Sequence, residues 1–74
     1  MNKFAHNLTL ARFCAGLSLD ELQETSGIHA RDIFDLEKGK IIPTEEQLEA
    51  LSSTLGLPAS KMFNDKLKMY VTFE

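Results

Sequence analysis

The sequence predicts an all-α fold of five short helices, and three features of the chain point to it. Apolar residues recur at helical spacings of three and four in the first 15 residues and again between residues 44 and 55. Two capping boxes, SLDE and TEEQ, mark helix starts. Glycines stand where the helical patterns stop. At 74 residues, the chain is long enough for one small domain.

The first predicted helix covers about residues 2–15. Its inward face should be formed by apolar residues that follow one another at spacings of four, three and four: Phe4, Leu8, Ala11 and Ala15. Gly16 is placed to end this helix. Cys14, the single cysteine, is expected to be a small buried or half-buried apolar side chain and not a nucleophile.

The second helix should begin after Ser18. The Ser18 hydroxyl can accept a hydrogen bond from the backbone N–H of Glu21, and the Glu21 carboxylate can accept one from the N–H of Ser18. Leu22 is the inward residue of this helix, and Gly27 ends it early. A third helix should cover about residues 29–38. Its apolar side is expected to consist of Ile28, Ile33 and Leu36.

A fourth helix should begin after Thr44, which forms the second capping box with Gln47. Its apolar residues follow at helical spacing: Leu48, Leu51 and Leu55. Gly56 ends it, and residues 57–63 resemble a fifth helix of one or two turns. Within this stretch, Leu57, Met62 and Phe63 are expected to form core or dimer contacts.

The last eight residues change to a period of two. Apolar residues alternate there with more polar ones: Leu67, Met69, Val71 and Phe73. This pattern predicts a short β-strand. A strand needs a pairing partner, and the same strand of a second copy is the simplest one. The alternatives are an extended or frayed terminus and the opening of a further domain.

Composition limits the classes of function that the chain can have. The net charge is −3 and the pI is near 5.3, which counts against nucleic-acid binding unless the basic residues are concentrated on one surface. The chain has no run of about 18 apolar residues and no secretory signal. Its single cysteine cannot form an internal disulfide. We therefore expect a cytoplasmic protein that does not enter a membrane.

The residues that carry catalysis or bind metals are sparse. His6 and His29 are far apart, and no combination of nucleophile and base stands out. Cysteine and histidine together number three, whereas a structural zinc site takes four ligands. There is no glycine-rich phosphate loop. We therefore expect no enzymatic activity, metal or cofactor.

Residues 4–63 resemble the Cro/repressor-type (Xre-like) helix-turn-helix proteins. The resemblance is carried, in order and in spacing, by Leu8, Ala11, Arg12, Gly16, Leu17, Ser18, Glu21, Leu22, Gly27, Ile28, Ile33, Leu36, Glu37, Lys38, Gly39, Pro43, Leu48, Leu51, Leu55, Gly56 and Leu57. It implies a repressor-like DNA-binding domain in residues 1–64, with residues 65–74 as a C-terminal extended tail or dimerisation strand. Helices two and three would form the helix-turn-helix.

The resemblance also implies roles for individual residues. Contacts to DNA bases fall on the outward face of helix three: Ala30, Arg31, Phe34 and Asp35. Ser18 and Leu19, at the start of helix two, would contact a phosphate. Apart from the resemblance, the positions of His29, Lys38 and Lys40 at the ends of helix three suit the phosphate backbone, and the alternative for the two lysines is ordinary solubility. Arg12 and Glu37 match a pair that forms a structural salt bridge in some relatives.

Each base-contact residue also has an alternative role. Arg31 can bind guanine O6 and N7 through its guanidinium group, or it can be a solvated side chain paired with Asp35 four residues on. Ala30 can contact a thymine methyl or be a neutral helix former. Phe34 can contact a thymine methyl, join a protein interface or fold onto the core. Asp35 can accept from cytosine N4, whereas Asp32 would repel the DNA backbone. The alternative for both is a solvated face or a pairing with Arg31 or Lys38.

Two residues depart from the family pattern. Relatives often have glutamine at Leu19, where leucine has no side-chain donor for the DNA backbone. They favour a small residue at Gln23, where glutamine would shift the angle between the two helices or extend outward. The hypothesis is a sequence-specific transcriptional regulator that binds double-stranded DNA as a homodimer. The alternative is an antitoxin-like or adaptor module that binds a protein partner and binds DNA weakly or not at all.

Overall fold

The computed structural model describes residues 3–64, and within them the chain folds into five α-helices with no strand. In chain order these are α1 (Lys3–Cys14), α2 (Leu19–Ser26), α3 (Ala30–Glu37), α4 (Glu45–Leu55) and α5 (Ala59–Asn64). The all-α prediction is confirmed for this part of the chain. The strand that the sequence predicts lies in residues 65–74, outside the described residues.

Each of the five helices contributes to one apolar core. Its members are Phe4 and Leu8 from α1, Leu22 from α2, Ile28, Ile33 and Leu36 from α3 and the turn before it, Leu51 from α4 and Met62 from α5. Most of these side chains are fully buried, and burial of one such side chain contributes about 1.5–3 kcal/mol. Because α1 packs on α3 and α5 while α2 packs on α3 and α4, this core fixes α3 from several sides.

Local sequence signals set the helix ends. The capping box at Ser18 is present, with the Glu21 N–H 3.1 Å from the Ser18 hydroxyl and the Ser18 N–H 2.9 Å from the Glu21 carboxylate. The box of Thr44 and Gln47 has the same geometry. Gly56 ends α4 with a φ of 69°, in the left-handed region that favours glycine. Both predicted capping boxes are confirmed.

One buried polar residue connects α1 to α5. The Asn7 side chain is fully buried, and its amide donates to the backbone carbonyl of Met62 over 2.8 Å. That carbonyl lies in the last turn of a helix, where no intrahelical N–H is available to it. The hydrogen bond therefore seats the short α5 against the start of the chain, and the apolar periodicity of α1 does not reveal it.

The end of α1 differs from the prediction. Ala15, which was placed on the inward face, is exposed, and so is Cys14. The reason is that α1 ends at Cys14 and the core reaches only as far as Ala11, so the apolar spacing runs on past the packed part of the helix. In residues 3–64 no helix combines the length and the apolar character that crossing a bilayer requires.

Candidate nucleic-acid interface

A tight turn after Gly27 positions α3 against α2. Gly27 has a φ of 77° and its N–H donates to the Gln23 carbonyl, so α2 stops and the chain reverses. The Ser26 hydroxyl donates to the Leu22 carbonyl and accepts from the N–H of Ile28. Ile28 is buried directly after the turn. These contacts therefore fix the orientation of α3 relative to α2, and none of them involves a residue of α3.

The two sides of α3 have opposite character. Ile33 and Leu36 are fully buried on the inner side. On the outer side the Arg31 side chain is 76% exposed, and 39% of Phe34 is exposed. Ala30 is half-buried at the start of the helix. The four residues predicted to contact bases therefore lie on the side of α3 that does not face the core. They are Ala30, Arg31, Phe34 and Asp35.

Arg31 and Asp35 lie close together but interact weakly. Arg31 Nε is 3.7 Å from the Asp35 carboxylate, which is beyond hydrogen-bond length. Because the Arg31 side chain is mostly exposed, the pair is worth only about 0.3–0.5 kcal/mol, as for other ion pairs four residues apart on a helix. Beside this pair, the ammonium group of Lys38 lies 5.4 Å from the centre of the Phe34 ring. Arg31 is therefore free to exchange Asp35 for a stronger partner at little cost.

Side chains occupy the N-terminus of α3. The N–H of Arg31 donates to Nδ1 of His29 over 3.1 Å, and the N–H of Ala30 donates to the amide oxygen of Gln23 over 2.8 Å. These two backbone donors therefore have partners within the protein. His29 itself is exposed. An imidazole that accepts at Nδ1 carries its proton at Nε2, and that N–H can reach a phosphate.

Gln23 has a role that the sequence did not indicate. It does not extend outward. Its half-buried side chain reaches across the turn and caps α3 at Ala30, seven residues further along the chain. Capping signals are recognised at a spacing of three residues, so this longer contact has no sequence signature.

We predict that Gln23→Met destabilises the protein and that Gln23→Glu does not. Methionine has a similar shape but no acceptor, so the Ala30 N–H loses its partner, at a cost of about 1 kcal/mol as for other lost N-caps. Glutamate keeps an acceptor and adds a negative charge at a helix start, where negative charge is favourable. The measurement is urea denaturation of the three proteins. Equal midpoints for the Met and Glu variants would contradict the capping role.

The start of α2 can meet a phosphate only in part. The Ser18 N–H is committed to the Glu21 carboxylate, so Ser18 has its hydroxyl left to donate. Leu19 is half-buried against the core, so its contribution would come from its backbone N–H in the first turn of the helix. The hydrogen bond from the Ser18 N–H holds the pKa of Glu21 below its ordinary range. An ionised carboxylate therefore stands at this end of α2 and weakens its attraction for phosphate.

Two exposed lysines follow the last turn of α3. Lys38 is the C-cap residue, and Lys40 lies two residues further on. Between them Gly39 adopts a φ of 73°, and the N–H of Lys40 donates back to the Asp35 carbonyl over 2.9 Å. This turn keeps both lysines close to the C-terminal end of α3, where they extend the basic surface that begins at Arg31.

The structure brings Arg12 and Glu37 together away from this surface. Arg12 Nε and Nη2 lie 2.6 and 3.1 Å from the two carboxylate oxygens of Glu37, so the pair is bidentate. Arg12 Nη1 also donates to the Leu17 carbonyl over 3.0 Å. Both side chains are about nine-tenths buried. The hydrogen bond with Glu37 raises the pKa of Arg12 above its ordinary value, so the guanidinium is charged wherever the protein is folded.

The ion pair also changes the charge balance of α3. Arg12 neutralises Glu37. The other charged side chains in residues 29–40 are three cations, Arg31, Lys38 and Lys40, and two carboxylates, Asp32 and Asp35. Asp32 lines a depression with Thr44 and Gln47 at the start of α4, and Arg31 is not among the residues that line it. The outer side of α3 is therefore slightly basic although the whole chain is acidic.

Comparisons with known proteins agree with this geometry. The family model described as helix-turn-helix matches residues 15–62, well over half of the chain. The chain therefore belongs to the helix-turn-helix family, a class of DNA-binding transcriptional regulators. No curated protein matches the sequence.

Among solved structures, the chain is similar to the restriction-modification controller protein C.AhdI from Aeromonas hydrophila. The two share 24% sequence identity and superpose with a TM-score of 0.77. The match covers 82% of this chain and 92% of C.AhdI. At this level of identity the likeness establishes the fold, and it confirms the five-helix repressor-like architecture.

Proposed function

We propose that this protein is a sequence-specific transcriptional regulator that binds duplex DNA as a homodimer, with α3 in the major groove. The observation that carries the proposal is the exposure of Arg31 in the first turn of α3, opposite the buried Ile33 and Leu36. In helix-turn-helix complexes the N-terminal residues of the second helix contact the base edges. A guanidinium group at this position suits guanine O6 and N7.

The residues around Arg31 support a contact of mixed chemistry. Ala30 and Phe34 present apolar surface that suits a thymine methyl, and Asp35 can accept from cytosine N4 once Arg31 has turned to the DNA. In the free protein the guanidinium group of Arg31 pairs with Asp35, and on binding it exchanges Asp35 for a DNA base. Lys38, Lys40 and His29 flank this set and would contact phosphates.

The length of α3 favours a dimer. Eight residues at 1.5 Å per residue give a helix about 12 Å long. At 3.4 Å per base pair, such a helix spans only three or four base pairs, which offers little discrimination on its own. Two copies on half-sites about 34 Å apart would double the contacts. The helix-turn-helix family supports this arrangement, with residues 1–64 as the DNA-binding unit and residues 65–74 as the tail that follows it.

The acidic composition is compatible with DNA binding because much of the negative charge lies on other helices. Three glutamates lie on α4: Glu45, Glu46 and Glu49. Such a distribution should orient the protein, with α3 towards the DNA. It should also keep non-specific binding weak, since few cations are available for phosphates.

The proposal is tested by selecting bound duplexes from a random pool and measuring the affinity for the selected duplex at several salt concentrations. If Lys38 and Lys40 each contact a phosphate in both copies, the slope of log K against log salt should be about −4. Replacing Lys40 with alanine should remove about 2 from that slope, one for each copy. The matched control is Lys61→Ala on α5, which should leave the slope unchanged.

Two results would contradict the proposal. No selected sequence and no shift at low salt would exclude sequence-specific binding. If Phe34→Ser abolished the capture of a protein partner while the wild type bound no DNA, the outer side of α3 would be a protein-interaction surface instead.

A further inference from the structure

The carboxamide of Gln23 uses only one of its two ends within the protein. Its oxygen accepts the N–H of Ala30 over 2.8 Å. Since a carboxamide can accept only through its oxygen, the oxygen faces Ala30 and the NH2 group lies on the other side. Within residues 3–64 this NH2 group donates to no protein atom, and no buried side-chain nitrogen or oxygen there lacks a partner. The NH2 group therefore reaches water and has N–H donors to offer.

The other polar side chains of α2 have no N–H to offer. The Thr25 hydroxyl donates to the carbonyls of Glu21 and Leu22 over 3.1 and 3.3 Å, and the Ser26 hydroxyl donates to the Leu22 carbonyl over 2.6 Å. The remaining side chains of α2 end in methyl groups or carboxylates. Among the side chains of α2, the uncommitted N–H donors therefore belong to Gln23.

Gln23 lies between two of the predicted DNA contacts. It stands one turn after Leu19, and residues four apart share one side of a helix. Its oxygen is bonded to Ala30, the first residue of α3. In a helix-turn-helix the first helix crosses the DNA backbone while the second enters the major groove. The donor of Gln23 is thus placed where the backbone passes from one helix to the other.

We propose that Gln23 is a further DNA-contact residue and that its NH2 group donates to a phosphate oxygen in each half-site. This inference rests on the proposed function. The bond to Ala30 holds the carboxamide in place before DNA arrives, so little side-chain freedom is lost on binding. One side chain then links a phosphate to the start of the helix that contacts the bases.

A neutral donor suits a chain with few cations. A hydrogen bond to an ionised phosphate is stronger than one between neutral groups. An amide neutralises no phosphate, so it releases no counterions and adds affinity without adding to the salt dependence. The contact of Gln23 would therefore leave the salt slope to the lysines.

The variant Gln23→Glu separates the contact from the cap. Glutamate keeps an oxygen for the Ala30 N–H and replaces the NH2 group with a second oxygen that repels phosphate. The affinity for the selected duplex should fall by about 10-fold or more for each half-site, while urea denaturation shows no loss of stability. The control Ser60→Glu adds the same charge at an exposed residue of α5 and should leave the affinity nearly unchanged.

Methylphosphonate substitution locates the phosphate. Single phosphates of the selected duplex are replaced one at a time by the uncharged methylphosphonate, and each duplex is measured with the wild type and with Gln23→Met. At one phosphate of each half-site the substitution should weaken the wild type more than the Met variant, because methionine has no donor to lose. Elsewhere it should weaken both equally, and both proteins should have the same salt slope. This comparison also decides the matter if Gln23→Glu does not fold.

The outcomes separate this contact from the proposed function. If the wild type selected no duplex, both would fail together. If the wild type bound its duplex and folded Gln23→Glu bound it as tightly, the contact alone would be overturned. A scan in which no phosphate distinguished the wild type from Gln23→Met would have the same consequence, and Gln23 would then serve only as a cap of α3.

Discussion

Replacing Glu37 with glutamine should lower the free energy of unfolding by about 3–5 kcal/mol, because it leaves the Arg12 guanidinium buried without its carboxylate. Only 12% of the Arg12 side chain is exposed. A domain of this size has a total stability on the order of 5 kcal/mol, so the variant should be close to unfolded at room temperature. The measurement is urea denaturation followed by circular dichroism, with the melting temperature expected to fall by about 12 °C or more.

Two further variants separate the ion pair from a general sensitivity to substitution. Arg31→Ala removes the pair with Asp35, in which Arg31 is 76% exposed, and should change stability by no more than about 0.5 kcal/mol. The double variant Arg12→Met, Glu37→Leu removes both charges and should recover much of the loss, because no unpaired charge stays buried. A loss below about 1 kcal/mol for Glu37→Gln would show that the pair does not hold α3 in place.

Replacing Arg31 with alanine should weaken binding to the selected duplex by about 5- to 150-fold for each half-site, which corresponds to 1–3 kcal/mol. The loss should be confined to duplexes with the preferred base at one position, so the variant should bind all four bases there about equally. Stability should be unaffected because the side chain is 76% exposed. The measurement is a competition series in which that single base pair is varied.

Arg31→Lys is the matched control for charge. Lysine keeps the positive charge but lacks the planar fork that binds two acceptors of guanine. The variant should keep the salt dependence of the wild type and lose most of its base discrimination. If Arg31→Ala weakened binding to every sequence equally, Arg31 would be a phosphate contact, and if it had no effect, Arg31 would be a solvated partner of Asp35.

Features that depend on a few neighbouring residues could be predicted from the sequence. Ser18 with Glu21, and Thr44 with Gln47, begin helices because the capping geometry needs residues only three apart. The buried positions of Ile33 and Leu36 followed from helical periodicity and fixed the outward direction of Arg31. The local pattern therefore predicted which residues of α3 face outward, and the family resemblance predicted that these residues contact DNA.

Features that depend on distant residues could not be predicted. The contact of Asn7 with the Met62 carbonyl joins residues 55 positions apart, and that of Gln23 with Ala30 crosses the turn. Ala15 continued the apolar spacing of α1 but lies outside the core, since periodicity does not show where packing ends. Cys14 was wrongly expected to be buried for the same reason.

A groove lined by Ile41, Ile42 and Phe63 illustrates the same limit. Ile41 and Ile42 lie in a loop where no periodic pattern assigns them a direction. Only the packing of α1 and α5 beside that loop shows that the exposed apolar side chains form one surface.

The central claim is that the outer side of α3 is the surface that meets DNA, and amide chemical-shift mapping tests it most directly. Titration of the labelled protein with the selected duplex should shift the amide signals of Arg31, Phe34, Asp35 and Lys38, with smaller changes at Leu19. Signals of the far side, such as Glu49 on α4 and Lys61 on α5, should stay in place. Shifts concentrated on α4 or α5, with α3 unchanged, would contradict the account.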